Sequence, residues 1–176
     1  RKMQSGGVVL NNHTLHHPYL PGLSYRRHQY EICAMQDVMG ERYGKRPLLF
    51  RPPFGNYNQN SLRAAKSCGI KYVPLWNEEV FVDHWEYREW DQKIRPGDIV
   101  LTHFRGRGDW KGTMPDMIRR FLNKVTAEGY AVARPMPLLP MPVPIEPEVE
   151  PPIFEAVPVP IPVPAGAVSV SIAVAV

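Results

Sequence analysis

Pro47-Leu48-Leu49-Phe50-Arg51-Pro52-Pro53-Phe54-Gly55 sets a short apolar run directly against an arginine and a proline-rich turn. Four apolar residues bounded by turn signals read as a buried strand, here with a charged residue at its carboxyl end. Upstream, Ser24 is placed to cap a helix in which Ile32, Met35, Met39 and Tyr43 recur at helical spacing, closed by Gly44. Downstream, Ser61 to Cys68 reads as a second helix stopped by Gly69. Lys71 to Trp76 is the next strand, weakened by Pro74, which cannot donate to a ladder.

The alternation extends in both directions. Val8-Val9-Leu10 reads as a first buried strand, and residues 84–94, aromatic and charged, as helical. Arg95-Pro96-Gly97-Asp98 signals a turn into the strand Ile99-Val100-Leu101-Thr102, which runs into His103. Pro115 suits the first turn of a helix through Glu128, with Met117, Ile118, Phe121, Leu122 and Val125 on its apolar face. Gly129 ends that helix, and Tyr130–Ala133 makes a last strand. Strands alternating with helices predict a parallel α/β sheet or barrel, in which chemistry gathers at the carboxyl ends of strands.

The unusual polar residues fall at those ends. His13 and His17 follow the first strand in His13-Thr14-Leu15-His16-His17-Pro18, Arg51 follows the second, Trp76 with Glu78 and Glu79 the third, and His103 the fourth. Two imidazoles four residues apart can reach one divalent ion from a single loop. Three histidines in five residues can equally be a solvated polar loop. Each of the other residues, taken singly, can be a strand-end side chain facing water. Four such ends together favour a site.

Composition divides the chain of 176 residues in two. All 21 Lys and Arg lie in residues 1–134 with 13 Asp and Glu, a net +8, whereas residues 135–176 carry four Glu and no base. Twelve of the 20 prolines fall between Pro135 and Pro164, so the folded domain is expected over 1–134 and a disordered, low-complexity tail over 135–176. Ala165 to Val176 is a β-prone apolar end of the tail. The basic excess is scattered among acidic residues with no recognised motif, which argues against nucleic acid as a partner. No apolar run approaches about 18 residues, so no membrane span is expected. Cys33 and Cys68 either pair, if the protein is exported, or stay reduced and buried. The opening Arg1-Lys2-Met3-Gln4, with neither an initiator methionine nor a signal peptide, reads as part of something longer.

His13-Thr14-x-x-His17-Pro18, Arg51-Pro52-Pro53-Phe54-Gly55 and Leu101-Thr102-His103 occur in that order. Together they resemble the polysaccharide deacetylases, the chitin-deacetylase and nodulation-protein superfamily known as carbohydrate esterase family 4, over roughly residues 5–134. Trp76-Asn77-Glu78-Glu79-Val80-Phe81 and Thr102-His103-Phe104-Arg105-Gly106 look like its actinobacterial, exported branch. The resemblance implies a distorted (β/α) barrel with fewer than eight repeats. It also implies hydrolysis of N-acetyl groups on chitin-type or peptidoglycan-type glycans, or of O-acetyl groups on xylan. An acetylated polysaccharide or oligosaccharide would be the partner, the chain a monomer, and its place the outside of the cell or the wall.

Such hydrolysis needs an activated water, stabilisation of the tetrahedral oxyanion, and a proton for the leaving group. The resemblance implies Zn2+ or another divalent metal on His13 and His17, an oxyanion contact from the Phe54 N–H, and Arg51 orienting the catalytic base. It makes His103 the general acid and gives Leu101 a part in an apolar slot for the acetyl methyl. Glu79 or Asp83 could hold His103, and spacing leaves that choice open.

One departure stands out. The family opens with a Thr-Phe-Asp-Asp strand end that supplies the base and a third metal ligand, and no Asp precedes Asp37 here. The expectation is an incomplete barrel lacking its first strand, with the carboxylates upstream of Arg1 and the 176 residues inactive by themselves. The rival expectation is a carbohydrate-binding relic, in which Phe54, Tyr57, Trp76, Trp85, Trp90 and Trp110 stack on sugars without chemistry.

Overall fold

Helix α1 (Tyr25–Tyr43) begins where the Ser24 side chain accepts from the Arg27 N–H, and ends at Gly44, whose φ of 72° is the left-handed conformation glycine adopts freely. Helix α2 (Gln59–Ser67) opens with a reciprocal capping box between Asn58 and Ser61, and α3 (Met114–Ala127) with one between Thr113 and Asp116. The structure is a computed structural model describing residues 8–133 and, as paired backbone, Val170–Ala175.

Extended segments lie side by side in chain order. Asn12 bridges Phe50 and Leu49 bridges Tyr72, both parallel. The third segment continues into β1 (Glu78–Val80), which pairs in parallel with β3 (Ile99–Thr102), Glu79 opposite Leu101. These parallel neighbours, joined by helices between the first three, form an α/β arc whose carboxyl ends point one way. A closed barrel is not formed among the described residues. The sheet instead has the order β2-β1-β3-β5-β4, with β2 (Trp85–Tyr87), β4 (Ala131–Ala133) and β5 (Val170–Ala175) all in antiparallel pairings.

Two apolar clusters hold the arc. Leu20, Ile32, Phe50, Ala64, Ala65, Cys68 and Ile70 pack α1 and α2 against the first segments. Truncating the fully buried Phe50 to Ala would cost about 3–5 kcal/mol. The Cys33–Cys68 disulfide ties α1 to the end of α2 across 35 residues, which decides the pairing that sequence left open. Val80, Ile94, Val100, Met117, Phe121 and Val125 form the second cluster, pressing α3 onto one face of β1 and β3.

Several expectations need correction. Val8 and Val9 are exposed and outside any strand; Asn12 makes the bridge. Around Pro74 the ladder shrinks to the one bridge at Tyr72, as its missing N–H requires. Residues 84–94 are not helical. Trp85 and Tyr87 alternate with Glu86 in β2, and Trp85 stacks on Phe121. On α3, Met117, Phe121 and Val125 are buried, but Ile118 and Leu122 are exposed, so the apolar face is narrower than predicted. Disorder was expected through 176, yet Val170–Ala175 is a strand inserted between β3 and β4, satisfying backbone groups on both. The rest of the tail lies outside the described residues.

Candidate functional site

The parallel bridge at Asn12 builds the centre of the site. The Asn12 N–H donates to the Leu49 carbonyl and the Arg51 N–H to the Asn12 carbonyl, both at 3.0 Å, so His13 and Arg51 sit on adjacent strand ends. His13 Nδ1 then lies 2.6 Å from the Arg51 carbonyl. A carbonyl only accepts, so Nδ1 carries the proton and Nε2 keeps its lone pair. Burial lowers the His13 pKa to about 4, and lowers that of His17 as well, which leaves both rings neutral at physiological pH.

Thr14 turns the loop so that the two rings meet. Its N–H donates to Asn12 Oδ1, and its Oγ1 accepts from the His17 N–H, both at 3.0 Å. Thr14, His17 and Phe54 have φ of 68°, 56° and 59°, left-handed values that cost a non-glycine residue about 1–3 kcal/mol each. Three such residues gathered in one place mark a site held against local preference. The His13 and His17 rings are 4.8 Å apart edge to face, and the Phe54 ring is 4.7 Å from His17. His16 departs from the pair. Its N–H and ring bond the fully buried Glu31, which Arg27 also engages at 3.0 Å.

The opposite wall comes from strand alternation. Val80 and Val100 face α3, so Glu79, Leu101 and His103 project from the other face of the same strands. There Glu79 Oε1 meets His103 Nδ1 at 3.1 Å. Arg51 is buried, with its pKa lowered by burial to about 10, and the Glu79 carboxylate acts in the other direction; it remains a cation at neutral pH. Glu79 thus acts by charge on Arg51 and touches His103. Asp83 does not reach His103. It is exposed and pairs with His84 at 2.8 Å, because it falls in the turn after β1. Leu101 is buried and Phe54 is exposed, as a slot wall and a loop tip would be.

His13 and His17 fit two positions of a divalent metal, since both are neutral and the first has its free nitrogen fixed by a backbone bond. A third protein ligand is not found, because no group of three or more His, Cys, Asp or Glu able to hold a metal occurs among the described residues. Sequence reasoning missed the Thr14 pivot and the Glu31 anchor. The motif's threonine position pointed to the first, and nothing in local spacing pointed to the second.

Residues 1–73 match the family described as polysaccharide deacetylase. An uncharacterized protein of Streptomyces coelicolor is 41% identical over 102 residues, covering 57% of this chain and 41% of that protein. A peptidoglycan-N-acetylglucosamine deacetylase of Bacillus cereus is 29% identical over 136 residues, covering 70% and 60%. The solved family 4 carbohydrate esterase from Streptomyces lividans, in complex with acetate, shares the fold with a TM-score of 0.57 at 22% identity, over 73% of this chain and 66% of that one. The chain thus spans less than two thirds of the length of these relatives. No helix among the described residues is long and apolar enough to cross a membrane.

Proposed function

We propose that this chain, which belongs to the polysaccharide deacetylases, contributes the metal-dependent site that removes acetyl groups from a polysaccharide or oligosaccharide. The observation that carries the reading is the convergence of His13, His17, Arg51 and the Glu79–His103 pair at the carboxyl ends of neighbouring parallel segments. Substrates of the relatives support either an N-acetyl amino sugar or an O-acetyl ester.

Zinc or another divalent ion on His13 and His17 would polarise the acetyl carbonyl and make its bound water acidic. The protein's own groups do the rest. The Phe54 N–H is the donor for the oxygen that gains charge as the carbonyl carbon becomes tetrahedral. Glu79 commits His103 Nδ1 and so aims Nε2, which gives a proton to the departing amine or alcohol oxygen. Leu101 takes the methyl group. Arg51 holds Glu79 by charge and stands ready to orient a carboxylate base. Among the described residues no carboxylate joins the histidine pair. The Cys33–Cys68 disulfide supports an oxidising location, outside the cell or at its wall.

The test is acetate release from N-acetylated chitooligosaccharide, peptidoglycan glycan and acetylxylan. It uses the chain alone and the chain joined upstream of Arg1 to an Asp-Asp strand end. Metal-dependent, chelator-sensitive release by the joined form supports the proposal. Glycan binding that ignores chelator and His103→Ala, with no acetate from any substrate, would sink it in favour of a binding relic.

A further inference from the structure

Trp76 sits beside this site in an unusual clamp. Gly55 has φ +70°, and a Cβ there would lie 2.7 Å from Cη2 and 2.9 Å from Cζ3 of Trp76, so the edge of the indole rests on bare backbone. The same Cβ would lie 3.5 Å from Arg88 Nη2, which places that guanidinium over the identical spot. Arg88 Cζ is 4.5 Å from the Trp76 ring centre, and Arg51 Cζ lies 5.8 Å from it. The backbone of Arg88 is fixed as well, since its N–H donates to the Asn77 carbonyl at 2.9 Å.

Arg88 is exposed and forms no ion pair with any carboxylate among the described residues, unlike Arg27, Arg46, Arg95, Arg105 and Arg119. A cation over an aromatic ring uses the face of the guanidinium and leaves its edge donors free. Those donors are pre-oriented by stacking and stand next to Gly55, one residue from Phe54, the proposed oxyanion contact. The planar fork matches a carboxylate with two parallel hydrogen bonds in which both partners are charged, and a neutral sugar hydroxyl lacks that second charge.

We infer that Arg88, stacked on Trp76 over Gly55, is a subsite for a carboxylate carried by the glycan chain close to the acetyl group under attack. The inference rests on the deacetylase reading and narrows its substrates to acidic glycans. Arg88 binds and selects; it takes no part in bond breaking.

The probe is a tetrasaccharide alternating N-acetylglucosamine with N-acetylmuramic acid, compared with its methyl ester, which differs only in losing the carboxylate charge. Calorimetric titration of the full chain should show the acid bound about fivefold tighter than the ester at low salt, on the scale of one exposed charge-assisted pair. High salt should shrink that preference. Arg88→Gln should abolish it and Arg88→Lys keep part of it, and a surface substitution of this kind leaves the fold intact. Equal binding of acid and ester, a preference that survives Arg88→Gln, or no binding of either would overturn the subsite. Acetate assays score the underlying reading separately. Acetate release with equal binding would remove the subsite alone, and preserved carboxylate preference without acetate release would remove the deacetylase reading alone.

Discussion

Glu79 Oε1 lies 3.1 Å from His103 Nδ1, a contact at the ends of two parallel strands that favours Glu79 over Asp83 as the carboxylate proposed to orient the histidine. Glu79→Gln keeps the shape and removes the charge. It should lower kcat about tenfold with little change in KM, the range for a group that positions a working histidine. Asp83→Asn, in an exposed turn, should leave both constants unchanged. Steady-state kinetics of the two variants with the Asp-Asp segment in place check this.

Thr14 is the pivot of the histidine loop, through the hydrogen bond from the His17 N–H to its Oγ1. Thr14→Ala should weaken divalent-metal binding about tenfold, as losses of supporting contacts around metal ligands do. Thr14→Ser, which restores the acceptor, should recover most of that. Co2+ titration followed by visible absorption reads both.

Glu78 gives the fold a pH dependence of its own. It is buried on the α3 side of β1, where burial, the hydrogen bond it donates to the Asp98 carboxylate and the charge of that carboxylate push its pKa up from 4.5 to about 8, with Arg95 opposing. Asp98 cannot shift away easily, since it accepts from the Arg95 N–H at 2.6 Å. The folded state therefore holds a proton that the unfolded chain gives up above 4.5. Stability should fall as pH rises from about 4.5 to about 8 and then level off. Urea midpoints at about pH 5, 7 and 9 should decline in that order for the native sequence, and Glu78→Gln should flatten the decline.

The Cys33–Cys68 bridge closes a loop of 35 residues. Replacing both with Ala should reduce unfolding free energy by about 3–4 kcal/mol, by releasing chain entropy in the unfolded state. Urea unfolding with and without reductant measures it. The histidine pair should keep its metal affinity in whatever fraction remains folded.

The legible parts of this chain were those written in local pattern. Ser24, Gly44, Pro115 and Gly129 marked helix ends close to where they fall, and Ile99–Thr102 read plainly as a buried strand. His13, His17, Arg51 and His103 were identified by motif, and their convergence follows from strands that run parallel. What stayed hidden depends on which face a residue occupies. Glu79 could be chosen over Asp83 only once Glu78–Val80 was known to be a strand, because alternation then puts Glu79 beside Leu101 and His103. The aromatic stretch at 85–87 misled because its alternation covers only three residues, too few for a period to show. Val170–Ala175 follows a long proline-rich segment, and nothing near it in sequence signals a partner as distant as Ile99–Thr102.

In the proposed reaction the strand-end residues act as one hydrolytic site, with His103 delivering the leaving-group proton. Acetate release by the metal-loaded protein carrying an Asp-Asp strand end, compared with its His103→Ala variant on the same acetylated glycan, tests it most directly. The variant should lose about 100-fold or more in kcat, the usual contribution of a general acid, with glycan affinity retained. Equal rates from the two proteins would contradict it.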